Sequence, residues 1–271
     1  MCAVRNILWY YGVANNVIIL ASGMAARSEK MLPSQNNVPK SAMVIMAHPD
    51  DAEFTVAGTV AKWALAGCEI TYVLCTSGNA GTHEPGMTRD SIAAIREEEQ
   101  RAACRVLGVQ EVVFLRRDDG TLQATLELRR ELVRQIRRYK PEAVITEDPT
   151  TLFFGDDYIN HPDHRAAGQA AIDAIAPAAA MPLLWPEEGE PHRVRQVYVS
   201  GANKPNVWVE LSEALLELKI EALRQHKSQM GSWDPAEMIR KWAADTGKEK
   251  GLARAESFRR MTLEPPPSTD S

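Results

Sequence analysis

Two short stretches of this 271-residue chain bring together residue types that can do chemistry. In the first, Met43–Phe54 (M-V-I-M-A-H-P-D-D-A-E-F), an apolar run breaks off at His48, Pro49, Asp50 and Asp51. The second, Asn160–His164 (N-H-P-D-H), again sets histidines around a Pro-Asp pair. Catalytic zinc sites typically take three protein ligands from histidine and carboxylate and keep one position for water. His48, Asp51 and His164 can supply that set. The i, i+3 spacing lets His48 and Asp51 face one point if the chain curls into a helical turn after Pro49. Asp50 then points elsewhere, toward the water, where a carboxylate acts as general base. Such a metal brings the pKa of its water to about 7 and polarises a substrate carbonyl. His161 is left over; protonated, and held in that state by Asp163, it is expected to stabilise an oxyanion. Either cluster alone would read as a turn whose aspartate caps the next helix, as Asp163 could. Two of them at equivalent strand ends carry the metal reading.

The elements that must position these residues alternate in type. Strands are expected at Ala42–Ala47, Glu69–Thr76, Val112–Leu115, Ala143–Thr146, Val194–Ser200 and Val207–Leu211. Helices are expected at Val56–Ala66, Thr88–Leu107, Leu122–Tyr139, from His161 to about Ile175, at Glu213–His226 behind a Ser212 cap, and again from about Asp234. Gly108 should stop the second of them. Strands alternating with helices predict an α/β fold, a Rossmann-like, mostly parallel sheet with helices on both faces. Ligands in such sheets bind outside the carboxyl ends of the strands. His48–Asp51, Ser77–Gly81, Asp118–Gly120 and His161–His164 all fall at that edge.

Composition narrows the class. Hydrophobic residues at 45% suffice for a core, and a net charge of −5 with a pI near 5.8 gives no basic excess to neutralise phosphates. No nucleic-acid partner is expected. Arg129, Arg130, Arg134, Arg137 and Arg138 cluster at helical spacing and read as a solvated helix face. Cys2, Cys68, Cys75 and Cys104 form no C-x-x-C pair, and the latter two read as buried thiols, so a reducing, cytoplasmic setting fits. Ile7–Leu20 is interrupted by Asn15 and Asn16, too short and too polar for an integral membrane segment. Residues 1–40 read as an extension or linker outside the fold. They loosely imitate a signal peptide, but an upstream extension before a start at Met31 is favoured. The catalytic domain is expected over 41–263, and 264–271, with three consecutive prolines, as a disordered tail.

A-H-P-D-D-A-E-F, the downstream H-P-D-H and the late L-K-I-E-A-L-R-Q-H-K-S-Q closely resemble the LmbE-like/PIG-L family of zinc-dependent N-acetylglucosaminyl deacetylases. The resemblance spans about Ala42 to Phe258. It implies His48, Asp51 and His164 as zinc ligands, Asp50 as general base, and His161 with Asp163 as oxyanion partner. It further implies Arg96, in A-I-R-E-E-E-Q-R-A-A-C-R-V-L-G, facing the sugar, Asp119 holding sugar hydroxyls, and His226 at the substrate. Read alone, Arg96 would be a surface helix residue and Asp119 a turn former. Some members place a leaving-group tyrosine two residues before the first histidine of H-P-D-H. Here Ile159 stands there, and the nearest tyrosine is Tyr158.

The expected activity is metal-dependent removal of an acetyl group from an N-acetylglucosaminyl-type small molecule. Zn²⁺ is the expected cofactor, and Fe²⁺ fits the same donor set. A related amidase acting on a thiol conjugate would use the same machinery. A Rossmann-like nucleotide binder would need G-x-G-x-x-G after the first strand, where this chain has H-P-D-D. A homo-oligomer is left open.

Overall fold

The computed structural model describes residues 38–263; the expectations for the leader and for the tail at 264–271 lie outside the described residues. The chain runs β1 (Ser41–Met46), α1 (Asp51–Thr55), α2 (Ala57–Leu65), β2 (Glu69–Thr76), α3 (Arg89–Leu107), β3 (Glu111–Arg117), α4 (Leu126–Tyr139) and β4 (Ala143–Glu147). A two-residue-per-strand hairpin follows, β5 (Phe153–Phe154) and β6 (Tyr158–Ile159), then α5 (Pro162–Ile175). The remainder is β7 (Gln196–Ser200), β8 (Val207–Glu210), α6 (Glu213–Arg224), α7 (Lys227–Met230), α8 (Ala236–Lys248) and β9 (Ala255–Thr262).

Seven strands form one sheet in the order β3-β2-β1-β4-β7-β9-β8. The pairs among β3, β2, β1, β4 and β7 are parallel, and β9 runs antiparallel to both β7 and β8. β1 alternates between two cores, as a strand buried on both faces must. Ala42, Val44 and Met46 pack with α2, α3, α6 and α8, whereas Met43, Ile45 and Ala47 pack with α4 and α5. The strand order reverses between β1 and β4, which opens a crevice at their carboxyl ends.

Helix starts follow the expected capping chemistry at three places. Thr88, Thr125 and Ser212 each accept a backbone N–H in the first turn of α3, α4 and α6. The Thr125 cap is why α4 begins four residues after the expected Leu122. Strand β9 is absent from the sequence expectation. Its run A-E-S-F-R-R-M-T carries charges at Glu256, Arg259 and Arg260 and has no continuous apolar signature.

Glu256 on β9 ties the far end of the chain to the helices beside the crevice. Its carboxylate accepts from Gly58 N (2.9 Å), Thr59 N (2.7 Å) and Thr59 Oγ1 (2.6 Å) at the start of α2. Lys219 Nζ on α6 donates to Glu256 (2.6 Å) and to the Thr55 carbonyl at the end of α1 (3.0 Å).

Within the arginine cluster on α4, Arg134 and Arg138 are exposed as expected, whereas Arg129 and Arg130 are half-buried and Arg137 departs from the solvated face. Arg130 and Arg134 grip Glu188, and the Arg129 guanidinium stands 5.7 Å from the Trp185 ring centre. Arg137 is 2% exposed and donates to the carbonyls of Ala178, Ala179, Met181, Leu184 and Trp185. The proline-rich stretch after α5 is thus folded onto α4, and it supplies no residue to the crevice cavity. Arg137→Met would strand several buried carbonyls at once, so it is expected to lower unfolding free energy by about 2–4 kcal/mol. Urea unfolding of the variant checks this; an unchanged midpoint would assign the stretch no dependence on Arg137.

Candidate active site

Both His/Asp clusters converge in that crevice. β1 ends at Met46, Pro49 turns the chain, and α1 starts at Asp51, so the expected helical turn after Pro49 is present. Asp50, its N-cap, holds φ 93°, ψ −24°, a left-handed conformation that non-glycine residues seldom adopt. From the other side, His161 caps α5 through Nδ1, which accepts from Asp163 N (3.2 Å), with Pro162 at the first helical position. The cap is thus His161 and not Asp163. α5 seats against β4 at Gly168, where a Cβ would lie 2.4 Å from the Glu147 carbonyl oxygen. His164 is thereby brought beside the end of β4.

Asp51 stands between two imidazoles. Its Oδ2 is 3.4 Å from His48 Nδ1 and its Oδ1 3.1 Å from His164 Nε2, and the two ring centres are 5.2 Å apart. Each ring has polar partners on its other nitrogen. His48 Nε2 meets Asp119 Oδ1 (3.0 Å) and Asp163 Oδ2 (3.3 Å). His164 Nδ1 meets Asn160 Oδ1 (3.2 Å) and Glu147 Oε1 (3.3 Å). The Asn160 amide is oriented by donating to the Thr151 carbonyl (2.8 Å). Imidazoles with one nitrogen free to face a common point and the other tied to a carboxylate or amide oxygen are arranged as metal ligands are. Overlapping groups of His48, Asp51, Asp119, Glu147, His161, Asp163 and His164 place ligand atoms within 4.8 Å of one another. The donor set fits a divalent cation with His/carboxylate preference.

The charges point the same way. Asp50, Asp51, Asp119, Glu147 and Asp163 are buried around the guanidinium of Arg96 and the imidazoles. Burial pushes Asp50 up to about 6, with Arg96 pulling it back. Burial likewise pushes Glu147 up to about 7 against the pull of His164. Asp51 lies well below the usual carboxylate range because His164 and His48 outweigh its burial. His48, with Asp119 hydrogen-bonded to it, holds Asp119 at about 2 in spite of burial. His164 rises to about 9 because Asp51 and Glu147 outweigh its burial. A cation bound here would take over from the imidazolium protons as the counter-charge.

The remaining predicted residues sort into those on the cavity and those behind it. A cavity of about 210 Å³ is lined by His48, Asp50, Asp51, Arg96, Asp119, His161 and His164, and also by Glu147, Tyr158 and Gln229. Arg96 is not the surface residue its helix alone would suggest. Its guanidinium donates to the carbonyls of Pro49 (2.6 Å) and Gly78 (3.2 Å) and to Asp50 Oδ2 (3.2 Å). Asp163 takes a different place from the expected one. Its carboxylate is fully buried, accepts from Gly120 N (2.7 Å) and Leu122 N (3.1 Å), and stands 4.0 Å from His161 Nδ1. It supports His48 more closely than His161. Burial and the neighbouring imidazoles hold His161 below its usual range, with Asp163 pulling the other way. His161 Nδ1, accepting from the Asp163 amide, carries no proton in this arrangement, in place of the protonated ring expected from sequence. His226 is 0% exposed and absent from the cavity wall, so the substrate contact expected for it is corrected: it lies 3.3 Å from buried Glu53. Asn160 opens the N-H-P-D-H motif without a role being read for it, and Glu147 carried no motif; its one signal was a carboxylate at the carboxyl end of a parallel strand.

Gly78 is required where it is. It has φ +62°, and a Cβ there would sit 2.3 Å from Arg96 Nη1. Gly78→Ala is therefore expected to displace Arg96 and lower kcat/KM by about tenfold or more, with bound metal retained. Steady-state kinetics beside elemental analysis would check both halves; unchanged kinetics would detach Arg96 from the substrate.

A mostly parallel sheet with a buried His/carboxylate cluster at its switch point is a Rossmann-like α/β fold whose site has the donors to take a metal ion. The family model for PIG-L, GlcNAc-PI de-N-acetylase, matches residues 43–175. The chain is 31% identical over 254 residues to the diacetylchitobiose deacetylase of Thermococcus kodakarensis, covering 90% of this chain and 92% of that one. It is 28% identical over 246 residues to a 1D-myo-inositol 2-acetamido-2-deoxy-alpha-D-glucopyranoside deacetylase of Actinosynnema mirum, covering 72% and 82%. Among solved structures, the N,N'-diacetylchitobiose deacetylase of Pyrococcus horikoshii superposes with a TM-score of 0.75 at 30% identity, covering 86% and 88%. The chain belongs to the PIG-L (LmbE-like) family of N-acetylglucosaminyl deacetylases, and it is an N-deacetylase. Among the described residues no helix is long and apolar enough to cross a membrane.

Proposed function

We propose that this chain hydrolyses the acetamide of a small N-acetylglucosaminyl compound, with an N-acetylated chitobiose as the first candidate. The observation that carries the reading is Asp51 set between His48 and His164, with Asp50 beside them on the wall of one cavity. The two diacetylchitobiose deacetylases named above match nearly the full described chain, which supports that candidate. In this reading His48 Nδ1, the Asp51 carboxylate and His164 Nε2 hold Zn²⁺, and Fe²⁺ is the alternative ion. When bound, the cation acidifies water and polarises the acetamide carbonyl.

The chain's own residues do the rest. Asp50, held by Arg96 and poised near neutrality, takes the proton of the attacking water and returns it to the leaving amine. His161 Nδ1 already accepts from the Asp163 amide, which places the proton of its neutral ring on Nε2. That N–H donates to the oxygen on which negative charge develops. Asp119 and Arg96 face the sugar from the cavity wall, and Tyr158 and Gln229 complete it. Cys68, Cys75 and Cys104 are buried and unpaired, which supports the cytoplasmic reading.

The test is acetate release from N-acetylglucosamine, N,N'-diacetylchitobiose and an N-acetylglucosaminyl inositol, with elemental analysis of the purified protein. Zinc with acetate from the chitobiose supports the proposal in full. Metal with no acetate from any of the three would overturn the substrate class, and a protein without metal that still releases acetate would overturn the mechanism.

A further inference from the structure

Behind the cavity lies a line of buried polar groups that the reaction scheme does not use. Asp50 N donates to Gln100 Oε1 (3.1 Å), Gln100 Nε2 donates to Glu53 Oε1 (3.0 Å), and Glu53 Oε2 lies 3.3 Å from His226 Nε2. Gln100, Glu53 and His226 are each 0% exposed. They come from three places in the chain: α1, α3 and the junction of α6 with α7. Polar groups buried this completely are costly unless they are hydrogen-bonded. Gln100 is, whereas Glu53 Oε2 and the His226 ring nitrogens face each other with no hydrogen-bond partner among the described residues.

The line ends on the residue with the least comfortable backbone in the site. A left-handed conformation at a non-glycine residue costs about 1–3 kcal/mol and persists only where its surroundings over-determine it. Asp50 adopts one, with φ 93°. An N–H can only donate, so Asp50 fixes which end of the Gln100 amide faces it, and the amide nitrogen is left for Glu53. Arg96 and Gln100, one turn apart on α3, grip Asp50 from two sides. Arg96 holds the Asp50 carboxylate and the Pro49 carbonyl, and Gln100 holds the Asp50 N–H. Glu53 aims the amide, and His226 is the group facing the outer oxygen of Glu53.

We infer that Gln100, Glu53 and His226 are positioning residues that lock the Asp50 backbone, and with it the direction of the Asp50 carboxylate. This rests on the reading of Asp50 as the general base. A displacement near 1 Å of a reacting group costs on the order of 100-fold in rate, so the relay acts on kcat with no need to touch substrate or metal.

The experiment compares Gln100→Met, His226→Phe, His226→Gln and Asp50→Asn with wild type in the metal-loaded full chain. It reads amide hydrogen exchange at Asp50, metal content, and kcat and KM for acetate release from N,N'-diacetylchitobiose. In Gln100→Met and His226→Phe the expected results are lost protection of the Asp50 amide and a 10- to 100-fold fall in kcat, at unchanged KM and metal content. His226→Gln, whose amide can offer an N–H to Glu53 Oε2, should recover most of both signals. A folded, metal-loaded Gln100→Met whose Asp50 amide stays protected would overturn the inference. So would a fall in kcat matched by metal loss. If Gln100→Met does not fold, the His226→Phe and His226→Gln pair decides from the far end of the relay: equal behaviour of the two overturns it. Asp50→Asn separates the two readings, because an active Asp50→Asn removes the base, whereas an inactive one beside wild-type relay variants removes only the relay.

Discussion

Asp50→Asn is expected to lower kcat by about 10²–10⁴-fold while metal content and KM stay near wild type. Asparagine keeps the size of the side chain and can still meet Arg96, but it cannot take a proton from water. The Asp50 carboxylate is not among the atoms between the two imidazoles; that place belongs to Asp51, so the variant should purify with its metal. The backbone demand is also met, since asparagine tolerates the left-handed conformation better than most residues. Loss of activity would then report proton transfer and not a collapsed turn. A variant within tenfold of wild type, metal intact, would move the base to another group, and Glu147 on the same wall would be the next to substitute.

Removing His164 has the second large consequence. His164→Ala deletes the imidazole that meets Asp51 from α5, and the proposed ligand set falls from three to two. Outer partners of metal ligands are worth about 10–100-fold in affinity, so loss of a ligand itself should exceed that. A bound metal stabilises the folded state by mass action. Chelation should therefore lower the thermal midpoint of wild type, and leave His164→Ala, already without metal, where it stands. An equal chelator shift in both proteins would place the ion elsewhere in the cluster. His48 with Asp119 and Asp163 is one of three groupings among the described residues with ligand atoms close together, beside His48 with His161 and His164 and Asp51 with Glu147 and His164.

The proposed metal site is readable in the sequence because its chemistry is compressed into two pentapeptide-scale motifs at strand ends. The fold was legible because strand and helix periods alternate with clear stops at Gly67, Gly108 and Pro141. What sequence could not give was direction. Asp163 and His164 are neighbours in H-P-D-H, yet in the first turn of α5 one carboxylate turns back to Gly120 and Leu122 while the next imidazole meets Asp51. His226 shares a motif with Gln229, but only Gln229 reaches the cavity wall, where it also donates to the Gly81 carbonyl (3.0 Å). Gln100 and Glu53 lie on separate helices and meet only when α1 and α3 are brought together. Arg137 read as solvated because its partners are main-chain carbonyls some 40 residues away, which no local pattern announces. Strand β9 hid for a related reason: its partners β7 and β8 both precede it, and its charges obscure its few buried apolar positions.

That last strand also sets an order of events during synthesis. Every proposed metal ligand has been synthesised once residue 164 is added, but the clasp at the head of α2 waits for Glu256. Among the described residues, strand β8 likewise has its ladder only with β9, so it waits for residues 255–262 to arrive between it and β7. A nascent chain therefore carries the complete ligand set for nearly a hundred residues before its scaffold can close, and a truncation ahead of Ala255 would leave the chemistry encoded but unsupported.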